Sequence, residues 1–243
     1  MKNPWLVIDD EVDGYNERQY QEMYRSTNFV IDCLDDIETF SSKKSFTVLD
    51  VGCSAGAHLY HLASRFSGHN YIGIDINQHY LNQAISIHNK LDIQNTRFEC
   101  VDYKSIDECY DVIGSNQTML SLDLKDGHEF QSFCFDKSNS GVFFLSLFSE
   151  RLLDFEIYVH DYNYSETKKV PYCIHSLPKL IQLANDKGFG LVKDSKFNID
   201  IDLPDCHDGR GTYTIRNEDL DRMMFSDVLY MPWRFVYFER INL

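Results

Sequence analysis

The sequence predicts an α/β chain built on a doubly wound parallel sheet, and three observations predict it. Short apolar runs alternate with segments of helical period between about residues 46 and 150. The first run ends in a small-residue loop, "DVGCSAGAH", that leads straight into a helical pattern. The chain has 243 residues, 43% of them hydrophobic, enough to bury one full core.

Each element has its own signature. From about Asn16 to Phe40, Met23, Thr27, Val30, Leu34 and Ile37 recur at helical steps, and "SSKK" closes that helix. Tyr20 and Tyr24 stand one turn apart on a neighbouring face. "SFTVLDVG" is the first buried strand, and "HLYHLASRF" a helix with Leu59, Leu62, Ala63 and Phe66 on one face. "NYIGIDI" is the second strand. Asn77 then caps a helix with Leu81, Ala84, Ile85 and His88 along one stripe. "TRFECVDY", "YDVIGSN" and "SGVFFLSLF" are the third, fourth and fifth strands. Beyond residue 150 the period changes: "LLDFEIYVHDYNYSETKKVPYCIH" is extended chain and loop with hairpin character. Ser176 caps a helix carrying Pro178 in its first turn and Gly188 at its end. "GLVKDSKFNIDI", "GTYTIRN" and "WRFVYFERI" are strand-like. With no linker in view, an N-terminal helical cap over 1–45 precedes one domain over 46–243, with insertions near 151–175 and 203–231.

Composition narrows the function. The net charge is −15, from 38 acidic and 23 basic side chains, with no Lys/Arg-rich run. Such a chain repels phosphate backbones, so a small molecule or a protein is the expected partner rather than nucleic acid. Seven cysteines show no C-x-x-C pair, and the start has no basic-then-apolar leader pattern, which points to reduced thiols and a cytoplasmic location. The apolar runs are too short to cross a bilayer. His58 and His61 lie three apart on a helix with no third ligand near in sequence, so they read as surface residues and no metal is expected.

The loop chemistry separates two cofactor classes. A glycine-rich turn between strand and helix lets backbone N–H groups approach a ligand closely. Dinucleotides take G-x-G-x-x-G after an apolar strand end. Here the strand ends in Asp50, and Gly52-Cys53-Ser54-Ala55-Gly56 is shorter, with serine at the middle glycine. A carboxylate beside a pyrophosphate is unfavourable. It suits a cofactor with positive charge, such as the ammonium and sulfonium of S-adenosylmethionine.

"VLDVGCSAGAHL" resembles the first motif of the class I S-adenosylmethionine-dependent methyltransferases, and three further landmarks follow in order over roughly residues 46–150. The resemblance implies a Rossmann-like sheet of about seven strands, mostly parallel with an antiparallel C-terminal strand, under an N-terminal helical lid. It implies a loop of Asp50, Gly52, Cys53, Ser54 and Gly56 around the cofactor. Asp75, with Ile76 after it, stands where the family's acid binds the ribose hydroxyls, about 20 residues beyond the loop. Asp102 and Tyr103 occupy the adenine position, and Ser115 and Asn116 the methionine end. Tyr20 and Tyr24 resemble lid residues over the cofactor, whose product form is S-adenosylhomocysteine.

The acceptor side is less legible. Small-molecule members carry a histidine after the fourth strand, where "MLSL" puts Ser121; there is no Asn/Asp-Pro-Pro-Tyr of nucleobase-amine methylation. His160 in "VHDYNY" is the candidate base, Tyr162 a stacking residue, and Arg210 a grip for a phosphate or carboxylate. The aromatic-rich insertions suit stacking on sugar rings or closing the core over the sheet edge. The expected reaction is methylation of a small molecule, most readily at a hydroxyl of a saccharide or secondary metabolite. A protein acceptor, a Rossmann oxidoreductase and a silent cofactor-binding protein are the alternatives.

Overall fold

A computed structural model describes residues 10–42, 44–161, 168–204 and 212–241. Helices α1 (Asp10–Gln21), α2 (Arg25–Asp35) and α3 (Glu38–Ser41) precede the sheet. The alternating core runs β1 (Thr47–Val51), α4 (Ala57–Arg65), β2 (Asn70–Asp75), α5 (Gln78–Lys90), β3 (Thr96–Cys100), β4 (Tyr110–Asn116), α6 (Leu124–Lys137) and β5 (Ser138–Ser149). A hairpin, β6 (Phe155–Asp161) and β7 (Lys168–Ser176), leads to α7 (Leu177–Asp186) and β8 (Phe189–Lys196). Strands β9 (Thr212–Arg216), β10 (Arg222–Ser226) and β11 (Leu229–Tyr230) form a separate antiparallel sheet before β12 (Trp233–Arg240).

The main path of the large sheet is β3-β2-β1-β4-β5-β12-β8. Strand β12 is antiparallel to both β5 and β8, while β3, β2, β1, β4 and β5 run parallel. The seven-strand, mostly parallel expectation holds. Chain order reverses across β1, which has β2 on one side and β4 on the other, and open α/β sheets bind ligands beyond the carboxyl ends of such a strand pair. Strand alternation sends Val48, Tyr71, Val112 and Phe143 into the core shared with α2 and α4. Leu49, Ile72, Ile113 and Phe144 go to the opposite core, shared with α6 and α7.

The structure departs from the sequence pattern in four places. The helical stretch from Asn16 is broken at Glu22–Tyr24, where Tyr24 is extended (φ −67°, ψ 147°) and α2 starts afresh. Both α1 and α2 contact α4, and the break lets each do so in its own direction. Met23 thereby leaves the apolar stripe and is 43% exposed, and Tyr20 and Tyr24 no longer share a helix. His58 is buried, not a surface residue, because the N-terminal helices cover α4: its Nδ1 lies 3.4 Å from Thr27 Oγ1, and burial lowers its pKa to about 3. His61 is half-buried, 2.8 Å from the Gln19 carbonyl. On α5, Leu81, Ala84 and His88 face inward while Ile85 is exposed.

Candidate functional site

The loop after β1 is braced from every side. Gly52 and Cys53 both donate N–H to the Ile74 carbonyl, at 2.8 and 3.1 Å, and Gly56 donates to Cys53. The Ser54 N–H donates to Asp75 Oδ2 at 2.9 Å. These groups are therefore committed inside the protein, which removes the ring of free donors a pyrophosphate needs. Two glycines are required by geometry. Gly52 (φ +76°) leaves no room for a Cβ, which would lie 2.2 Å from Thr118 Oγ1. Gly56 (φ +81°) starts α4 in a left-handed conformation against Phe98. Cys53 is buried, and burial pushes its thiol well up.

Two carboxylates stand beside this loop, at the ends of adjacent parallel strands. Asp50, paired in register with Gly73 and Gly114, is 2% exposed, and its Oδ1 has no hydrogen-bond partner. Burial, with the Asp75 charge second, raises its pKa to about 8. Asp75 is half-buried and accepts from the Ser54 and Asn77 N–H groups, both at 2.9 Å. Burial raises its pKa, opposed by those backbone donors. Asp75 thus sets the loop's shape, and its remaining lone pairs are available to hydroxyl donors. Asp50, Gly73, Asp75 and Gly114 share one side of the sheet, the side of α1, α2 and α4.

Across β1, the end of β4 adds a third group. Asn116 lies on the same side as Asp50, and its Oδ1 is buried without a partner. Ser115 is 1% exposed with an orphaned hydroxyl, but alternation points it to the opposite side, toward α6. Thr118 donates its hydroxyl to the Val51 carbonyl at 3.0 Å, tying the β4 loop to the β1 loop. The lid contributes Tyr20, whose hydroxyl donates to the Ala55 carbonyl, and Asn16, 2% exposed, whose Oδ1 is 3.5 Å from Ser54 Oγ and whose Nδ2 is orphaned. His88 reaches from α5 to the Gly56 carbonyl at 3.2 Å. Sequence alone did not point to Asn16, His88 or Thr118, because their link to the loop is made across 38, 32 and 67 positions of chain respectively.

At the β2–β3 end of the crevice, Ile76 is half-buried and Asp102 exposed. The Asp102 carboxylate accepts from the Lys104 N–H at 2.9 Å, a local turn that leaves a second oxygen open. Tyr103 packs on Phe130 and Phe133, with ring centroids 5.1 Å away from each, and its hydroxyl donates to the Asp126 carbonyl.

Next to Asn116, Gln117 borders a cavity of about 540 Å³, within the usual range for ligand sites, about 300–1,000 Å³. Its walls include Met23, Tyr24, Tyr172, Phe197, Met224 and Trp233, with Glu22 among its polar groups. Tyr24 therefore belongs to this cavity and Tyr20 to the loop. Of the other insertion aromatics, Tyr213 stacks on Phe225 at 5.6 Å, holding the small sheet together, and Tyr158 is exposed. His160 is exposed on β6 and is not among the cavity-lining residues. Tyr162 and Arg210 lie outside the described residues.

The residues fit a cationic nucleoside. Asp50 Oδ1, Asn116 Oδ1 and Asn16 Nδ2 are buried polar atoms without partners around one crevice, and such atoms normally have one. A ligand offering donors and positive charge at Asp50 relieves both the orphaned oxygen and the like-charge pressure from Asp75.

Known proteins agree with this geometry. Residues 42–158 match the family model described as "Methyltransferase domain". A tRNA (guanine-N(7)-)-methyltransferase of Rubrobacter xylanophilus is 34% identical over 58 residues, 24% of this chain. The alignment spans about a quarter of that relative's length (26%). Among solved structures, magnesium protoporphyrin IX methyltransferase from Synechocystis with bound S-adenosylmethionine superposes with a TM-score of 0.59 at 12% identity, covering 98% of this chain and 100% of that one. The 1,6-didemethyltoxoflavin-N1-methyltransferase of Burkholderia thailandensis superposes with a TM-score of 0.57 at 10% identity, covering 100% and 94%. Residues 42–158, with their acid-ended first strand and braced loop, form a methyltransferase domain, and the chain shares its fold with S-adenosylmethionine-dependent methyltransferases.

Proposed function

We propose that this protein methylates a hydroxyl of a small, ring-bearing molecule, with S-adenosylmethionine as methyl donor. One observation carries the proposal: the Met- and aromatic-lined cavity is bordered by Gln117, the residue directly after Asn116, whose buried, unpartnered Oδ1 lies on the Asp50 side of the sheet. Bound in the crevice, S-adenosylmethionine supplies a methyl group already activated by its sulfonium.

The chain's residues have distinct tasks. Asp75 offers its open lone pairs to the ribose hydroxyls, and Ile76, Asp102 and Tyr103 mark the adenine end. Asp50 and Asn116 face the charged methionine end, with Ser115 contributing through the backbone. Tyr20 holds α1 against the loop and excludes water. In the cavity, Trp233, Tyr172 and Phe197 offer flat surfaces to a ring, while Met23 and Met224 adapt to its outline. Glu22 is the carboxylate on the cavity wall and the group placed to accept a proton from an acceptor hydroxyl.

A ring-bearing acceptor also accords with the solved neighbours, which include enzymes named for a porphyrin and a toxoflavin precursor. A saccharide ring meets the same aromatic walls. The tRNA enzyme matched over 58 residues raises an RNA acceptor, which the net charge of −15 opposes. None of the described helices is long and apolar enough to cross a membrane, and we take the protein to work in the cytoplasm on a diffusing substrate.

Calorimetric titration with S-adenosylmethionine, S-adenosylhomocysteine and NADH tests the cofactor half, followed by a labelled-methyl screen of hydroxylated ring compounds. Binding of both sulfur nucleotides and label transfer that falls in Trp233→Ala support the reading. NADH binding alone, or transfer indifferent to Trp233, overturns it.

A further inference from the structure

On the opposite side of the sheet from the cofactor crevice, three metal-ligand side chains from three segments converge. They are His128 in α6, Asp154 between β5 and β6, and His175 in β7. One ligand atom from each lies within 4.8 Å of the others, the one such group among the described residues. His128 Nε2 is 3.3 Å from Asp154 Oδ2, and the two imidazole rings are 6.0 Å apart.

His175 is the anomaly. It is 1% exposed, yet neither ring nitrogen has a hydrogen-bond partner. The Met119 backbone lies near the ring without forming a well-aligned bond to it. Leaving a buried polar group unsatisfied destabilises the fold, and a missing ion is one of the recognised explanations. The ring has been given its place: a Cβ on Gly127, the residue before His128, would lie 2.5 Å from His175 Cε1.

We propose that His128, Asp154 and His175 form a binding site for a zinc-like divalent transition metal, with water completing the coordination. Two imidazoles and one carboxylate suit zinc and its neighbours, whereas calcium and magnesium take oxygen ligands. The 3.3 Å spacing of His128 and Asp154 already matches the edge of a tetrahedron with bonds of about 2.0–2.1 Å. The carboxylate is also oriented from behind, since the Ser176 N–H donates to Asp154 Oδ1 at 2.7 Å.

Lys179 opposes the metal. Its ammonium lies 2.6 Å from Asp154 Oδ2, where it supplies the positive charge in the metal-free protein. The side chain is 47% exposed and long enough to swing into solvent when a cation replaces it. Lys179 therefore sets the affinity, and the site is a loadable one rather than a permanently filled zinc core. Loading joins α6 to the β6–β7 hairpin beside the turn Met119–Ser121, whose Leu120 lines the acceptor cavity. This proposal is independent of the methyl-transfer reading.

The test is calorimetric titration of the chelator-treated full chain with zinc chloride, repeated with His128→Ala and Lys179→Ala and followed by the absorption spectrum with cobalt chloride. His128 is half-buried, so its truncation leaves the fold intact. The expected results are one equivalent bound, a weakening of about 10-fold or more in His128→Ala, tighter binding in Lys179→Ala, and a tetrahedral cobalt spectrum without thiolate charge transfer. The last point matters because Cys100 and Cys109 are exposed and free. Zinc binding unchanged by His128→Ala, a thiolate band, or no binding in either the native protein or Lys179→Ala overturns the site.

Discussion

Asp50 and Asp75 look equivalent as strand-end acids, and their surroundings give them different work. Asp50 is raised to about 8 by burial and by the Asp75 charge. Between the ordinary carboxylate value, about 4, and about 8, the folded protein holds a proton that the unfolded chain has released. Stability therefore falls as pH rises through that window and levels off above it. Asp75, also raised by burial, adds to the same slope. Asp50→Asn should flatten the dependence, which urea midpoints across pH would reveal; an unchanged slope would assign it elsewhere. Cofactor binding runs the opposite way, because a positive ligand favours the carboxylate. Affinity should rise with pH up to about 8, with proton release at neutral pH seen as a buffer-dependent binding heat. For Asp75→Ala, loss of charged hydrogen bonds worth about 1.5–3 kcal/mol predicts roughly 10- to 150-fold weaker cofactor binding. Because Asp75 also accepts from the Ser54 and Asn77 N–H groups, some stability is lost with it. Both acids were legible in the sequence; the second task of Asp75, holding the loop, was not.

At the scale of elements, the loop after β1 works as a brace between strands, lid and α5. Gly52→Ala meets two obstacles: a positive φ, worth about 1–3 kcal/mol for a non-glycine, and the Thr118 side chain. Thr118→Ala takes away the two closest atoms of the second, Oγ1 and Cγ2, and leaves its Cβ 2.9 Å from the added methyl group. The double variant should therefore unfold more easily than Thr118→Ala alone by about 1–3 kcal/mol, and equal stabilities would refute the strain. Tyr20→Phe leaves the Ala55 carbonyl without its hydroxyl donor. The lid should loosen, read as faster amide exchange in α1 and weaker cofactor retention, while the sheet's protection stays unchanged. The strands and α4, α5 and α7 were readable because period, caps and turn residues are local: Asn77 accepts from the His79 N–H and Ser176 from the Lys179 N–H, as their positions suggested. The break at Glu22–Tyr24 was not, since no Gly or Pro marks it and only packing on α4 demands it.

At the scale of the whole molecule, the cavity proposed to hold the acceptor is assembled from the N-terminal helices, β5 and the loop after β4, the hairpin and the small sheet. Trp233→Ala should raise KM for the acceptor several-fold and leave cofactor affinity unchanged; a parallel loss of cofactor binding would show that the two sites are not separate. Glu22→Gln should lower kcat for a hydroxyl acceptor with little change in KM. An exchange of roles is informative too, since activity lost in His160→Ala and retained in Glu22→Gln would return the proton to the hairpin. The cavity was invisible beforehand because Tyr24, Tyr172, Phe197 and Trp233 are scattered along the chain and met only through tertiary folding.

The sequence by itself determined the sheet's alternation, the small-residue loop after the first strand and the acids at the ends of the first two strands, because those are short-range properties of period and composition. Only the tertiary structure decided which hydrogen bonds brace the loop, on which side of the sheet Ser115 and Asn116 fall, what lines the cavity beside Gln117, and that His128, Asp154 and His175 meet. Those depend on strand pairing and helix docking, which join residues far apart in the chain and leave no local trace in it.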